Sequence, residues 1–184
     1  MNDSTFMLPE NELETIAQQY RFADGKISNI GKNIYNFKLG SEYASGGAGC
    51  ISTVDDYMNF LEGLRTYKLL KLETVKLMMT NRLTEEQICS YWERRHHGYG
   101  LGVRCPKGVE KCVDFGWGGA ACAFLAIDLQ NNISVYFGGH LISSPAHGVR
   151  CLLYRFVRAE LVDNGGFEEL YQLMKELYGC DVTY

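Results

Sequence analysis

The stretch from Val113 to Gly139 is the one whose residues could shape a surface, since Trp117 stands between glycines and the small residues after it let something pack closely, either a helix or a ligand. Glycines on both sides of Trp117 let backbone approach backbone or substrate where a side chain would block it. Nucleophilic chemistry asks for more, since a serine hydrolase needs a base within hydrogen-bond reach of its nucleophile. No Gly-x-Ser-x-Gly occurs. Ser28, Ser41, Ser52, Ser90, Ser134, Ser143 and Ser144 all lack a lysine three residues on, the helical arrangement that lets an amine activate a hydroxyl. His96 and His97 are adjacent rather than a helical turn apart, so they cannot share one face as metal ligands. They read as surface residues flanking a strand. His140 and His147 fall at a strand end and a helix start, where local hydrogen bonds suit them better than catalysis. Ser45-Gly46-Gly47-Ala48-Gly49 lacks the Gly-Lys-Ser/Thr of a phosphate loop and reads as a tight crossing. Residue types alone therefore give a shaped backbone surface without a catalytic engine, and imply no metal and no cofactor.

Composition narrows the class. The chain has 184 residues, is 46% hydrophobic and carries a net charge of -4. That length holds one domain with a real core. With no basic block, nothing favours nucleic acid, and no apolar run has the length of a membrane span. The first residues lack the basic region and greasy core of a signal peptide. Seven cysteines, an odd number spread through helices and strands, fit reduced and mostly buried thiols in a cytoplasmic protein. Cys105 and Cys112 bracket Pro106-Lys107-Gly108, and a bridge between them across a hairpin is the less favoured alternative.

The elements that would position the surface follow from periodicity. Two apolar runs around Gln130-Asn131-Asn132 predict an antiparallel hairpin. The expected sheet uses the Tyr99, Phe115–Ala126 and Ile133–Phe137 regions. Glu10 to Tyr20 has helical spacing, and Arg21 to Tyr43 reads as loop with at most a short strand pair, to which Ile27, Ile30, Ile34, Tyr35 and Phe37 could contribute. Thr53 and Asp56 can form a capping box. The helix behind it would bury Val54, Tyr57, Met58 and Leu61 and fray around Gly63. A second helix runs from about Leu72 to Thr80, and Thr84 with Gln87 opens a further turn through Ile88 and Tyr91. Tyr99 to Val103 returns to strand. His140 to Pro145 is a loop, a long helix follows from about Ala146 to Val162, and Phe167 to Tyr178 forms the last.

These segments in order resemble the carboxy-terminal part of the class C beta-lactamase-like serine hydrolases, which include penicillin-binding proteins, D-aminopeptidases and esterases. Ser45 to Phe60 is similar to the family's Gly-Gly-Gly-x-x-Ser-Thr-x-x-Asp-Tyr segment, and Leu72 to Asn81 to its Thr-Val-x-x-Met-x-Thr-Asn helix. Tyr99 to Gly102 resembles its Tyr-Gly-Leu-Gly strand. Trp117-Gly118-Gly119 stands where the family has its third motif, in a Trp-Gly-Gly variant. The resemblance implies an α+β fold of partial beta-lactamase-like type, an antiparallel sheet with packed helices, lacking the family's N-terminal strands and Ser-x-x-Lys helix. Residues 1–184 would form a single truncated domain, with 1–97 mainly helical and 98–184 the sheet plus C-terminal helices.

For function, the resemblance implies that Trp117, Gly118 and Gly119 line a cleft and that Ala120 offers its backbone N–H to an oxyanion. It assigns no catalytic residue here, because the family's Ser-x-x-Lys and Tyr-x-Asn motifs would precede this chain. Tyr57-Met58-Asn59 spells Tyr-x-Asn but sits on the Asp-Tyr helix, where it reads as a core tyrosine beside an exposed asparagine. Three readings follow. The chain is a relative that does not hydrolyse by itself; or it works with a separately supplied N-terminal hydrolase fragment; or it binds a peptide or cell-wall fragment at Trp117. Expected partners are a second copy of the chain or that fragment, with a small amide, ester or peptide as ligand.

Overall fold

Alternation along Phe124–Asp128 sets the architecture. Leu125 and Ile127 join one apolar cluster, while Phe124 and Ala126 join another on the opposite side. Residues 1–31, 44–47, 49–92, 95–144 and 149–178 are described by the computed structural model. Gln19–Ala23 (β1) and Lys26–Gly31 (β2) form a hairpin. His97–Tyr99 (β3), Arg104–Pro106 (β4), Phe115–Gly118 (β5), Phe124–Asp128 (β6) and Ile133–Phe137 (β7) follow, then Leu141–Ile142 (β8). Strands β3 to β7 make one five-stranded antiparallel sheet in chain order. In a second, three-stranded sheet, β8 lies parallel beside β1. This is an α+β fold of antiparallel sheets with packed helices.

Helices cover both faces. Val54–Arg65 (α1) and Leu72–Met78 (α2) bring Leu61, Leu64 and Val75 against Cys105, Phe115 and Ile127, all buried. A short helix, Glu85–Ser90 (α3), begins with the expected Thr84–Gln87 capping box. On the far face Leu153–Leu161 (α4) sets Tyr154 on Phe124 and Ala126, and Phe167–Tyr178 (α5) packs beside it through the Phe156–Phe167 and Phe156–Tyr171 ring contacts. The Asn-rich turn between β6 and β7 is present, with Asn132 at φ 57°. Arg65 reaches it from the end of α1, its Nη1 donating to Asn132 Oδ1 at 3.0 Å.

Several boundaries differ from the sequence reading. Phe115 to Ala126 is two strands, because the chain reverses in a tight turn where Cys122 takes φ 76° and the Leu141 N–H binds the Ala121 carbonyl. Glu10 to Tyr20 gives only a 3-10 helix at Glu10–Thr15, after which Tyr20 is drawn into β1 by pairing with β8. Of Tyr99 to Val103 only Tyr99 is strand, and β4 begins at Arg104. The long helix expected to Val162 is a 3-10 turn at Val149–Leu152 followed by α4. The expectations at Pro145, Ala146, His147 and at Ile34, Tyr35 and Phe37 lie outside the described residues.

Capping of α1 is half of the expected box. Thr53 Oγ1 accepts from the Asp56 N–H, but the Asp56 carboxylate turns to the lead-in segment, accepting from the Asn2 and Asp3 amides and the Ser4 hydroxyl. Burial alone would raise this carboxyl's pKa; those bonds and the N-terminal amine hold it below its ordinary value. Gly63 does not fray the helix but packs on Leu69 inside it. Val54, expected in the core, is 59% exposed, whereas Leu61 is 0% exposed. Leu61→Ala should therefore cost about 2–5 kcal/mol in urea unfolding, and Val54→Ala should stay within about 0.5 kcal/mol of the parent. Equal effects would contradict the orientation of α1.

Candidate functional site

The predicted surface stands at the end of β5. Trp117 and Gly118 close the strand opposite Leu125 and Phe124, and Gly119 and Ala120 enter the turn to β6. Gly116 is fixed by close approach: a Cβ there would come 2.1 Å from the Leu125 carbonyl oxygen. Gly119 is fully engaged, its N–H donating to the Ala123 carbonyl at 2.8 Å and its carbonyl accepting from the Cys122 N–H at 3.1 Å. The same carbonyl accepts from Nη1 of Arg150, a residue 3% exposed on the 3-10 turn before α4. A Cβ on Gly118 would lie 3.1 Å from the Arg150 guanidinium, so a small residue lets the arginine in. Ala120 is exposed, and among the described residues no acceptor takes its N–H. An N–H left without an acceptor on a turn held in this way can receive a developing oxyanion or a ligand carbonyl. The structure thus brings Trp117, Gly118, Gly119 and Ala120 into one ledge.

Trp117 is half-buried and meets Tyr99 edge to face, with ring centroids 5.5 Å apart. Trp92, which the sequence reading did not single out, has its ring centroid 6.1 Å from that of Trp117.

Below the ledge is a polar cluster that sequence reasoning missed. Arg104 on β4, 1% exposed, donates from Nη2 to Asp114 Oδ2 at 2.5 Å and to the Leu125 carbonyl at 3.3 Å. Its guanidinium carbon stands 4.8 Å above the Phe124 ring. His97 Nε2 is 2.9 Å from Arg104 Nη1 and 3.0 Å from Asp114 Oδ1. One ring nitrogen can donate to the carboxylate or accept from the guanidinium, not both. Burial alone would raise the Asp114 pKa, but Arg104 and His97 hold it below the ordinary carboxylate value. His97, expected at the surface, is 7% exposed, because β3 turns it inward; His96 beside it is half-buried. Burial, then Arg155 and His97, push the His96 pKa down. The available signal was the pairing of buried-strand positions with unlike charges at Arg104 and Asp114.

A second buried carboxylate holds the far end of the sheet. Asp128, 0% exposed, accepts from the Gln130 and Asn131 amides and from the Tyr154 hydroxyl at 2.6 Å. Burial and this bond push the Tyr154 pKa far up.

The remaining candidates have ordinary partners. His140 Nδ1 lies 3.2 Å from the Gln18 carbonyl. Tyr57 stacks on Tyr136 at 4.5 Å and Asn59 is exposed, as expected for a core tyrosine beside a surface asparagine. Cys105 and Cys112 are both buried free thiols, with burial pushing Cys105 up to about 11. Ser4 and Ser52 bond to each other, and Ser4 also to Asp56. Among the described residues no group of three or more ligating side chains could hold a metal, and no helix is long and apolar enough to cross a membrane.

Two outcomes follow for the cluster. Arg104→Met leaves Asp114 buried without its cation and should cost about 3–5 kcal/mol by urea unfolding; a loss under 1 kcal/mol would show that the pair is not buried as described. Asp114 and Glu62, the latter held at about 2 chiefly by its bond to Arg65, both titrate lower folded than unfolded. Their contribution is thus complete above the unfolded carboxylate values near about 4 and is lost as pH falls through the folded values. Unfolding free energy measured from pH 6 to 2 should drop below about 4, and Asp114→Asn should flatten that slope. An unchanged slope would contradict the assignment.

No protein-family model and no curated protein matches the sequence. Solved structures do. The unliganded selenomethionyl derivative of simvastatin synthase (LovD) from Aspergillus terreus aligns with a TM-score of 0.68 at 21% identity, over 89% of this chain and 47% of its own. The LovD6 mutant of that enzyme gives 0.66 at 23%, over 88% and 46%. EstCE1, a hydrolase with promiscuous acyltransferase activity, gives 0.63 at 20%, over 83% and 46%. The chain spans less than half the length of each. What it shares with them is the fold alone, part of a beta-lactamase-like α+β architecture.

Proposed function

We propose that this chain forms one wall of a beta-lactamase-related acyl-transfer cleft and does not hydrolyse or transfer acyl groups by itself. The observation that carries this reading is exposed Ala120, whose N–H has no acceptor among the described residues and which follows Trp117 in a turn whose Gly119 carbonyl is fixed by the buried Arg150. Serine acyl transfer needs such a donor opposite the developing oxyanion. It also needs an activated nucleophile, and the sequence has neither a Ser-x-x-Lys nor a tyrosine in the family's catalytic position. Simvastatin synthase and a hydrolase with promiscuous acyltransferase activity among the structural neighbours support amide or ester chemistry for the completed cleft. Incubated with a reactive penicillin or an activated ester, the chain should keep its mass. A stoichiometric serine adduct seen by mass spectrometry would overturn the reading.

One observation favours completion by a second polypeptide. Within the five-stranded sheet β7 pairs with β6 alone among the described strands, and its last residue, Phe137, is 40% exposed. An unpaired edge without proline or lysine invites strand addition. Either a second copy of the chain or a separate N-terminal hydrolase fragment could supply it, and only the fragment would bring the missing serine and lysine. Met58 and Met79 are covered in part by this chain, since both pack on the α1-side cluster. Light scattering over a range of concentrations should show association of the purified chain, or a monomer that associates once the fragment is added. A monomer under both conditions would contradict it.

A further inference from the structure

We infer that Trp92 forms a second wall beside the ledge, and that Trp92 and Trp117 together receive a neutral, flat apolar group of a ligand whose carbonyl oxygen meets the Ala120 N–H. This rests on reading Trp117–Ala120 as a ligand surface, and adds to it a residue and a ligand class.

The chain has two tryptophans, and both are here. Their ring centroids lie 6.1 Å apart at an interplanar angle of 79°. Trp117 meets Tyr99 at 5.5 Å, Tyr99 meets Tyr91 at 5.9 Å, and Tyr91 meets Trp92 at 5.9 Å. These contacts close a circuit in which each ring meets two others. Trp92 nevertheless leaves 56% of its surface in water. An indole held in place while exposed offers apolar area without the cost of ordering a side chain on binding.

The chemistry of the surface selects the ligand. The four rings, Gly118, Gly119 and Ala120 carry no formal charge, so none of these groups would offset desolvation of an ionised group. Arg150, the nearest cation to the ledge that the geometry identifies, is buried beneath it and bonded to the Gly119 carbonyl. The ledge itself supplies a donor and therefore asks for an acceptor. An aromatic or alicyclic amide or ester meets both requirements; an anionic fragment meets only the second.

The test uses the whole chain labelled with nitrogen-15, in which two indole N–H signals are expected and are assigned with Trp92→Phe and Trp117→Phe. Benzamide supplies a flat neutral ring with a carbonyl, and acetamide supplies the carbonyl alone. Benzamide should shift both indole signals and the Ala120 amide, and Trp92→Ala should weaken it about two- to tenfold, the scale of one aromatic contact. If Trp92→Ala loses its dispersed spectrum, Trp92→Leu keeps apolar bulk without a ring and gives the same comparison. Shifts at Trp117 and Ala120 without Trp92, or unchanged affinity in the variants, would overturn the second wall and leave the ledge standing. Shifts at the indoles without Ala120 would overturn the proposed orientation. No shift at Trp117 or Ala120 with either amide would remove the ledge reading, and the second wall with it.

Discussion

Burial of the Arg104 guanidinium is the constraint on which the arrangement of this molecule depends. Strands β4 and β5 share a single register pair, Arg104 opposite Gly116, so backbone pairing there is thin. The side chain of Arg104 makes up the difference. It reaches His97 on β3, Asp114 just before β5, and Leu125 and Phe124 on β6, and so joins four consecutive strands of the sheet. A buried ion pair adds little net stability compared with a well-packed apolar substitute, but losing one member is costly because the other is stranded. Here that penalty falls on any arrangement that separates the β3–β4 hairpin from β5. Tyr99 stands on the same hairpin, so the position of Trp117's neighbour follows from the same cluster.

The ledge is fixed from the other side by the chain that follows β8. Arg150 arrives on a 3-10 turn and caps the Gly119 carbonyl, and α4 continues directly from that turn. Tyr154, the second residue of the helix, bonds Asp128 at the end of β6, and Arg158 bridges Asp128 and Asp163 at 3.6 and 3.2 Å. One helical segment thus ties both ends of β6. The turn that presents Ala120 is held by the sheet on one side and by an arginine on the other, which is the kind of prior ordering an oxyanion donor requires.

The sequence made some of this legible and hid the rest for physical reasons. The Asn-rich hairpin, the capping box at Thr84 and the last helix depend on local chemistry, and all three are present. Glu10 to Tyr20 failed as a helix because Tyr20 gains a partner in β8, more than a hundred residues away, a pairing that periodicity cannot register. Val54 matched the helical apolar pattern yet sits in the first turn, where α1 has not reached the sheet. His97 read as a surface residue because polar, titratable types usually are, and Arg104 was not singled out; only their joint proximity to Asp114 makes burial tolerable. Trp117 to Gly119 were visible from their glycines, and Ala120 only through the family resemblance. Arg150 and Trp92 were not, since nothing in their local sequence points to the ledge.

Whether the Ala120 N–H faces outward from a rigid turn is read directly by residue-resolved amide hydrogen exchange. Gly119 and Cys122, bonded to the Ala123 and Gly119 carbonyls, should exchange slowly, while Ala120 between them exchanges at close to the rate of an open amide. Slow exchange at Ala120 would mean that the donor is already taken within the fold, and the ledge could not receive a ligand oxygen. Uniformly fast exchange across all three would contradict a turn held in place by Arg150.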